Sequence, residues 1–265
     1  MSSLFETVKV ELKKVFKTKK NWWTKTEWRN IDNTIQEKTK RAIGAIQKNI
    51  GSLNFKEETT STKSWELRRK TNISEKRLKA IGERKYLEEA LERALVTSNE
   101  NLFNQFNLLS GVMGKNQTRK SIDIVIAKNG KVNEMIELKA WSNKADSPIL
   151  AAFELLFDYF IYTKILAEKI HKKKDIYPPE VEENLKLTVL APKTYFDYYY
   201  NPNQKIIIKR IEDTINSELK SINFSFQCLP PNQDEHIKLI QNEKSSRNEI
   251  KKWFNEKTPY RLTLE

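Results

Sequence analysis

Cysteine is almost missing from this 265-residue chain. The single Cys228 rules out a disulfide within it, and a reducing, cytoplasmic setting is expected. Two histidines and that one thiol are too few for a zinc cluster. Long apolar runs are missing too. The opening Met-Ser-Ser-Leu-Phe-Glu-Thr-Val-Lys has no unbroken apolar core, so no secretory signal is expected. The greasiest segment, 148–166, is interrupted by Glu154, Asp158 and Lys164, which argues against a membrane span.

Acid is scarce relative to base. The chain has 48 Lys+Arg against 35 Asp+Glu, a formal charge of +13. The excess is uneven: residues 1–80 hold 20 basic against 9 acidic side chains, and 81–265 hold 28 against 26. A lysine-rich background would raise the total without producing that asymmetry. A basic segment joined to a nearly neutral body is the electrostatic signature of a polyanion binder. Hydrophobic residues at 38% and aromatics at 10% suffice for a sizeable core. The length suits one large domain, or one domain with a small appendage.

Periodicity supplies the elements. Residues 1–20 read as a basic amphipathic helix with Leu4, Val8, Leu12, Val15 and Phe16 on one face. A second helix over 27–49 carries Trp28, Ile31, Ile35, Ala42, Ile43 and Ile46, and Gly51-Ser52 ends it. Trp22, Trp23 and Trp28 either stack on nucleic acid or form the small core of a helical subdomain, and aromatics more often pack. Residues 53–63 read as a linker. A helix over 74–96 is capped by Ser74, with Leu87, Ala90, Leu91, Ala94 and Leu95 inward and Glu89 and Glu92 outward. A short strand is expected near 108–113. Asp146-Ser147-Pro148 opens a long helix, with Ser147 as cap and Pro148 in its first turn. It is apolar on most sides, so it should lie against a sheet and under a second layer. A strand (185–190), a helix (204–219), a strand (222–229) and a tail helix near 248–254 follow.

The chemistry gathers in 119–141. Residues 122–127 form an apolar, β-branched run interrupted by Asp123, Asn129-Gly130 signals a hairpin, and the next strand ends on Glu137-Leu138-Lys139. Strand side chains alternate, so Glu137 and Lys139 share a face. Two carboxylates and an ammonium at one end of a hairpin can hold a hard divalent cation and stabilise charge on a phosphate. The alternative is a purely structural charge network. Parity sharpens the question. A plain two-residue turn would set Asp123 across from Ile136, on the side away from Glu137. The three groups can meet only if the register shifts by one, through a three-residue turn at Lys128-Asn129-Gly130 or a bulge at Asp123.

The order helix, strand, acid-bearing strand, Glu-x-Lys strand, long helix, strand over roughly 74–230 resembles the PD-(D/E)XK nuclease superfamily. Asp123, Glu137 and Lys139 carry the resemblance, with a helix glutamate that is either Glu83 or Glu88. Ile122 stands where the family often has proline. The resemblance implies an α/β fold: a mixed central sheet flanked by helices, with an αβββαβ core over 71–230. A basic helical region (1–70) and a C-terminal extension (231–265) lie outside that core. It implies that Asp123, Glu137 and the Leu138 carbonyl hold Mg²⁺, or Mn²⁺ in its place, and that Lys139 orients water or stabilises the transition state. Lys115, Arg119 and Lys120, just before the metal strand, are candidate phosphate contacts, or they merely solvate a loop.

The leading expectation is a metal-dependent endonuclease on DNA, with RNA still open, serving restriction, phage defence or repair. Membrane partners are not expected, and a homodimer stays open. The alternative from another class is a nucleic-acid-binding or assembly subunit that keeps the fold without cleaving. A third option is an unrelated α/β protein with a basic arm.

Overall fold

A computed structural model describes residues 4–16, 34–53, 65–70, 87–98, 100–108, 121–139, 147–168, 178–199 and 205–229. In chain order these form α1 (Leu4–Phe16), α2 (Ile35–Gly51), α3 (Leu87–Ser98), β1 (Leu102–Asn107), β2 (Ser121–Lys128), β3 (Lys131–Leu138), α4 (Pro148–Glu168), β4 (Glu180–Ala191), α5 (Lys193–Tyr199), α6 (Lys205–Glu218) and β5 (Ile222–Cys228). The protein is α/β, with five strands in the order β1-β2-β3-β4-β5. The β1/β2 and β2/β3 pairs are antiparallel, and β3/β4 and β4/β5 are parallel. The parallel half follows from its connections, because α4 and α6 are the crossovers that parallel neighbours require.

The expected strand near 108–113 lies, but for Leu108, outside the described residues, and β1 was not expected from the sequence. Its polar residues obscure it: the burial of Leu102, Asn104 and Phe106 alternates with partial exposure of Phe103, Gln105 and Asn107. Asn104 is fully buried because its amide acts like a strand neighbour. Its Oδ1 accepts from the Lys70 N–H (2.8 Å) and its Nδ2 donates to the Lys70 carbonyl (2.9 Å). Helix α5 was not read from the sequence. The tail helix, the three tryptophans near residue 25, Glu83, Lys115, Arg119 and Lys120 lie outside the described residues.

Helix α4 organises the core. The Ser147 Oγ accepts from the Leu150 N–H (3.4 Å), so the expected cap is in place. Ile149, Leu150, Phe153, Leu156, Phe157 and Ile161 are all essentially inaccessible to solvent. Each such side chain contributes about 1.5–3 kcal/mol by leaving water. One side of α4 meets β2, β3 and β4, and another meets α2, which supplies the second layer. The α1 and α2 stripes (Val8, Leu12, Ile35, Ile43, Ile46) belong to the same continuous core as the sheet. Lys164 fastens this junction. Its ammonium donates to the carbonyls of Ile50 (3.0 Å), Gly51 (2.9 Å) and Leu53 (2.7 Å) at the end of α2, where a helix presents unsatisfied acceptors and negative potential. No helix among the described residues is long and apolar enough to cross a membrane.

Candidate active site

The β2–β3 hairpin begins as the sequence suggests. Lys128 faces Lys131 across a two-residue turn, and Asn129 (φ 52°) and Gly130 (φ 77°) both take the positive φ that such turns demand. Ala127 then faces Val132, but the next pair is Ile126 with Glu134. Asn133 is the extra residue, and the bulge it makes shifts every later pair by one. Val125 therefore faces Met135, and Ile124 faces Ile136. One step further, the shifted register sets Asp123 opposite Glu137 rather than Ile136. Of the two routes considered from sequence, the turn is not the one used. The shift comes from a bulge, and the bulge sits in β3 rather than at Asp123.

Beyond Ile124↔Ile136 the ladder gives way to side chains. The Leu138 N–H donates to Asp123 Oδ2 at 2.9 Å, so the aspartate ties β2 to β3 where backbone pairing stops. On the other edge of β3, the Lys139 N–H donates to the Leu190 carbonyl of β4 (2.9 Å). The residues from Glu137 to Lys139 are thus held from both sides. The Lys139 ammonium donates to Glu137 Oε1 at 2.6 Å and to Glu154 Oε2 of α4 at 3.5 Å. Glu137 (4% exposed) and Lys139 (8%) are buried, so this ion pair is poorly screened.

The electrostatics show an excess of negative charge. Burial pushes the Asp123 carboxyl up to about 8; Glu88 and Glu92 add to the rise, against the pull of Lys139 and the Leu138 N–H. For Lys139, burial works against its charge. Glu137, Glu154, Glu88 and Asp123 together outweigh it and hold the ammonium well above the usual lysine range. Glu88, in the first turn of α3, is thus within electrostatic reach of both Asp123 and Lys139. Of the two helix glutamates weighed from sequence, only Glu88 is among the described residues.

Two acids were misread or missed. Glu92 does not point outward. It is buried on α3 with Leu91 and Leu95, and its carboxyl is pushed up to about 7, chiefly by burial. The heptad-like stripe on α3 underestimated how much of the helix is covered. Its neighbour Arg93 is also buried, donating to the Lys70 carbonyl (2.8 Å) and to Glu89 (3.3 Å). Glu154 was noticed only as a break in an apolar run. Its signal was an acid on a helix whose other faces are covered, a costly place without a partner.

The donor set suits a hard cation: carboxylate oxygens from half-buried Asp123 and buried Glu137, with more acid around them than Lys139 neutralises. Among the described residues, no three His, Cys, Asp or Glu side chains form a ready cage, and the Lys139 ammonium rests on the glutamate that such a cage would use. Protein-family models, curated proteins and solved structures contain no match to this chain. What stands is an α/β protein whose mixed five-stranded sheet carries a largely buried lysine with Glu137, Glu154 and Asp123 around it where β2 and β3 part.

Proposed function

We propose that the chain is a metal-dependent nuclease of the PD-(D/E)XK type that hydrolyses phosphodiester bonds in DNA. The observation that carries this reading is the Asn133 bulge, since the register it makes puts Asp123 on the same face as Glu137 and Lys139. The order α3-β1-β2-β3-α4-β4 supports the αβββαβ core that the sequence resemblance implies. Asp123 and Glu137, with the Leu138 carbonyl, would hold Mg²⁺ or Mn²⁺. The ion's charge would make water a nucleophile near neutral pH and polarise the phosphate. The Leu138 N–H keeps the Asp123 carboxylate in place. Lys139, anchored between β3 and α4, is positioned to stabilise negative charge developing on the phosphate. Glu88 borders the site, and Glu154 holds the Lys139 ammonium from the far side.

The test is cleavage of plasmid DNA, single-stranded DNA and RNA with Mg²⁺ or Mn²⁺, beside Asp123→Asn and Lys139→Ala. Metal-dependent cutting lost in both variants is expected. No cutting by the wild type, or cutting that both variants retain, overturns the proposal.

One observation favours a second reading, a binding or assembly subunit that does not cleave. The Lys139–Glu137 ion pair is tight at 2.6 Å and already neutralises the glutamate. Nucleic-acid binding without cleavage in either metal would select that reading.

A further inference from the structure

Segment 65–70 lies along the outer edge of β1. The Trp65 N–H donates to the Asn107 carbonyl (3.2 Å), and the Asn104 N–H donates to the Arg68 carbonyl (2.9 Å), so the segment runs antiparallel to β1. It covers a sheet edge that would otherwise expose backbone groups, and it carries Arg68-Arg69-Lys70. Arg69 and Lys70 are exposed, and Arg68 is half-buried. The Lys70 ammonium donates to Gln105 Oε1 (2.6 Å), and the β1/β2 register sets Gln105 beside Asp123. Two strand spacings, about 10 Å, therefore separate this edge from the acid cluster.

We propose that Arg68, Arg69 and Lys70 form a phosphate-binding rim that grips the nucleic-acid backbone beside the bond to be cut. This rests on the nuclease reading and names the surface by which the substrate is held. Four cations, Arg68, Arg69, Lys70 and Arg93, meet three acids, Glu66, Glu89 and Glu92, at this edge, so positive charge is in excess. Lys70 is held below the usual lysine range, first by burial and then by Arg93 and Arg68. The Arg68 Nε is buried without a hydrogen-bond partner among the described residues, although its guanidinium also pairs with Glu66. A phosphate relieves crowding of this kind. The acid cluster repels phosphate until a cation arrives, so the initial grip has to come from elsewhere, and this edge is the adjacent basic surface. An anionic membrane would present the same chemistry, but the exposed large apolar side chains among the described residues, Val10 and Ile206, are on α1 and α6. None stands at this edge to enter a bilayer.

The experiment measures binding of the full chain to a labelled DNA oligonucleotide, single-stranded and duplex, by fluorescence anisotropy across a salt series in EDTA. Lys70→Gln should make the salt dependence on duplex shallower by about one phosphate contact, and Arg69→Gln/Lys70→Gln by about two, with affinity about tenfold weaker at low salt. Lys128→Gln, the same charge loss at the hairpin turn, should change neither. Because Arg69 also donates to the Val96 carbonyl, melting of each variant is compared with wild type, and Lys70→Gln alone decides if the double variant unfolds. An unchanged slope for Lys70→Gln with a wild type that binds and cuts overturns the rim and leaves the nuclease reading standing. A wild type that binds no nucleic acid overturns both. Loss of binding to phosphatidylserine vesicles, with DNA binding intact, replaces the rim with a membrane contact.

Discussion

The two ends of the β2–β3 hairpin are built on opposite principles. At the turn, Lys128 and Lys131 face each other in water, Asn129 and Gly130 take the φ values their side chains permit, and the ladder is regular. At the open end, past the bulge, the backbone ladder stops beyond Ile124↔Ile136. Side chains have replaced backbone pairing, and the Glu137–Lys139 ion pair sits largely out of water. Local preference alone explains the turn. The open end is a local energetic loss that only the surrounding sheet and helices can hold in place, and consistency of that sort fails most often where a protein works.

Four substitutions and one insertion break the contrast, in falling order of effect. On the nuclease reading, Asp123→Asn or Glu137→Gln should lower metal-dependent cleavage about a hundred- to a thousandfold, while circular dichroism stays that of the wild type. Retained cleavage would remove the open end from the chemistry. Inserting one alanine after Met135 should set Ile136 opposite Asp123 and turn Glu137 to the other face, at a cost of about 3 kcal/mol or more in urea unfolding. An unaltered midpoint would mean that the insertion is absorbed as a second bulge.

Glu92→Gln tests the electrostatic strain beside the open end. The native carboxyl is raised to about 7, above its unfolded value, so the folded state keeps a proton that the unfolded chain loses. Wild-type stability should therefore fall as pH rises from about 4.5 to 7 and stay low above that. The variant should lack this fall and be more stable by roughly 2 kcal/mol at pH 8. Parallel stability-versus-pH curves would contradict the assignment. At the turn, Gly130→Ala should cost only about 1 kcal/mol of stability and leave cleavage unchanged. A built Cβ meets nothing within 4 Å, so the cost is the strain of φ +77° rather than a clash. A loss of activity there would tie the turn to the site.

Much of the fold is written in period and punctuation. The Ser147 cap, the Pro148 start and the apolar circumference of α4 announce a helix buried between two layers, and α2 fills the layer the sequence could not name. The β2–β3 turn and the helix spanning Lys205–Glu218 were equally legible. Strand β1 was not, because Asn104 and Gln105 look like loop residues until Lys70 arrives from far along the chain to satisfy them. Glu92 looked solvated because a helix stripe cannot reveal that β1 and segment 65–70 cover its flank.

By itself the sequence determined that Glu137 and Lys139 share a face, because strand alternation is a property of the backbone. It also determined that Asp123 could join them only through an odd register shift. Tertiary structure decided that the shift occurs, and where. The bulge at Asn133 depends on pairing across two strands at once, and no local preference encodes that. Nor could the sequence assign Glu154 to the Lys139 ammonium, since that contact exists only once α4 lies across the sheet.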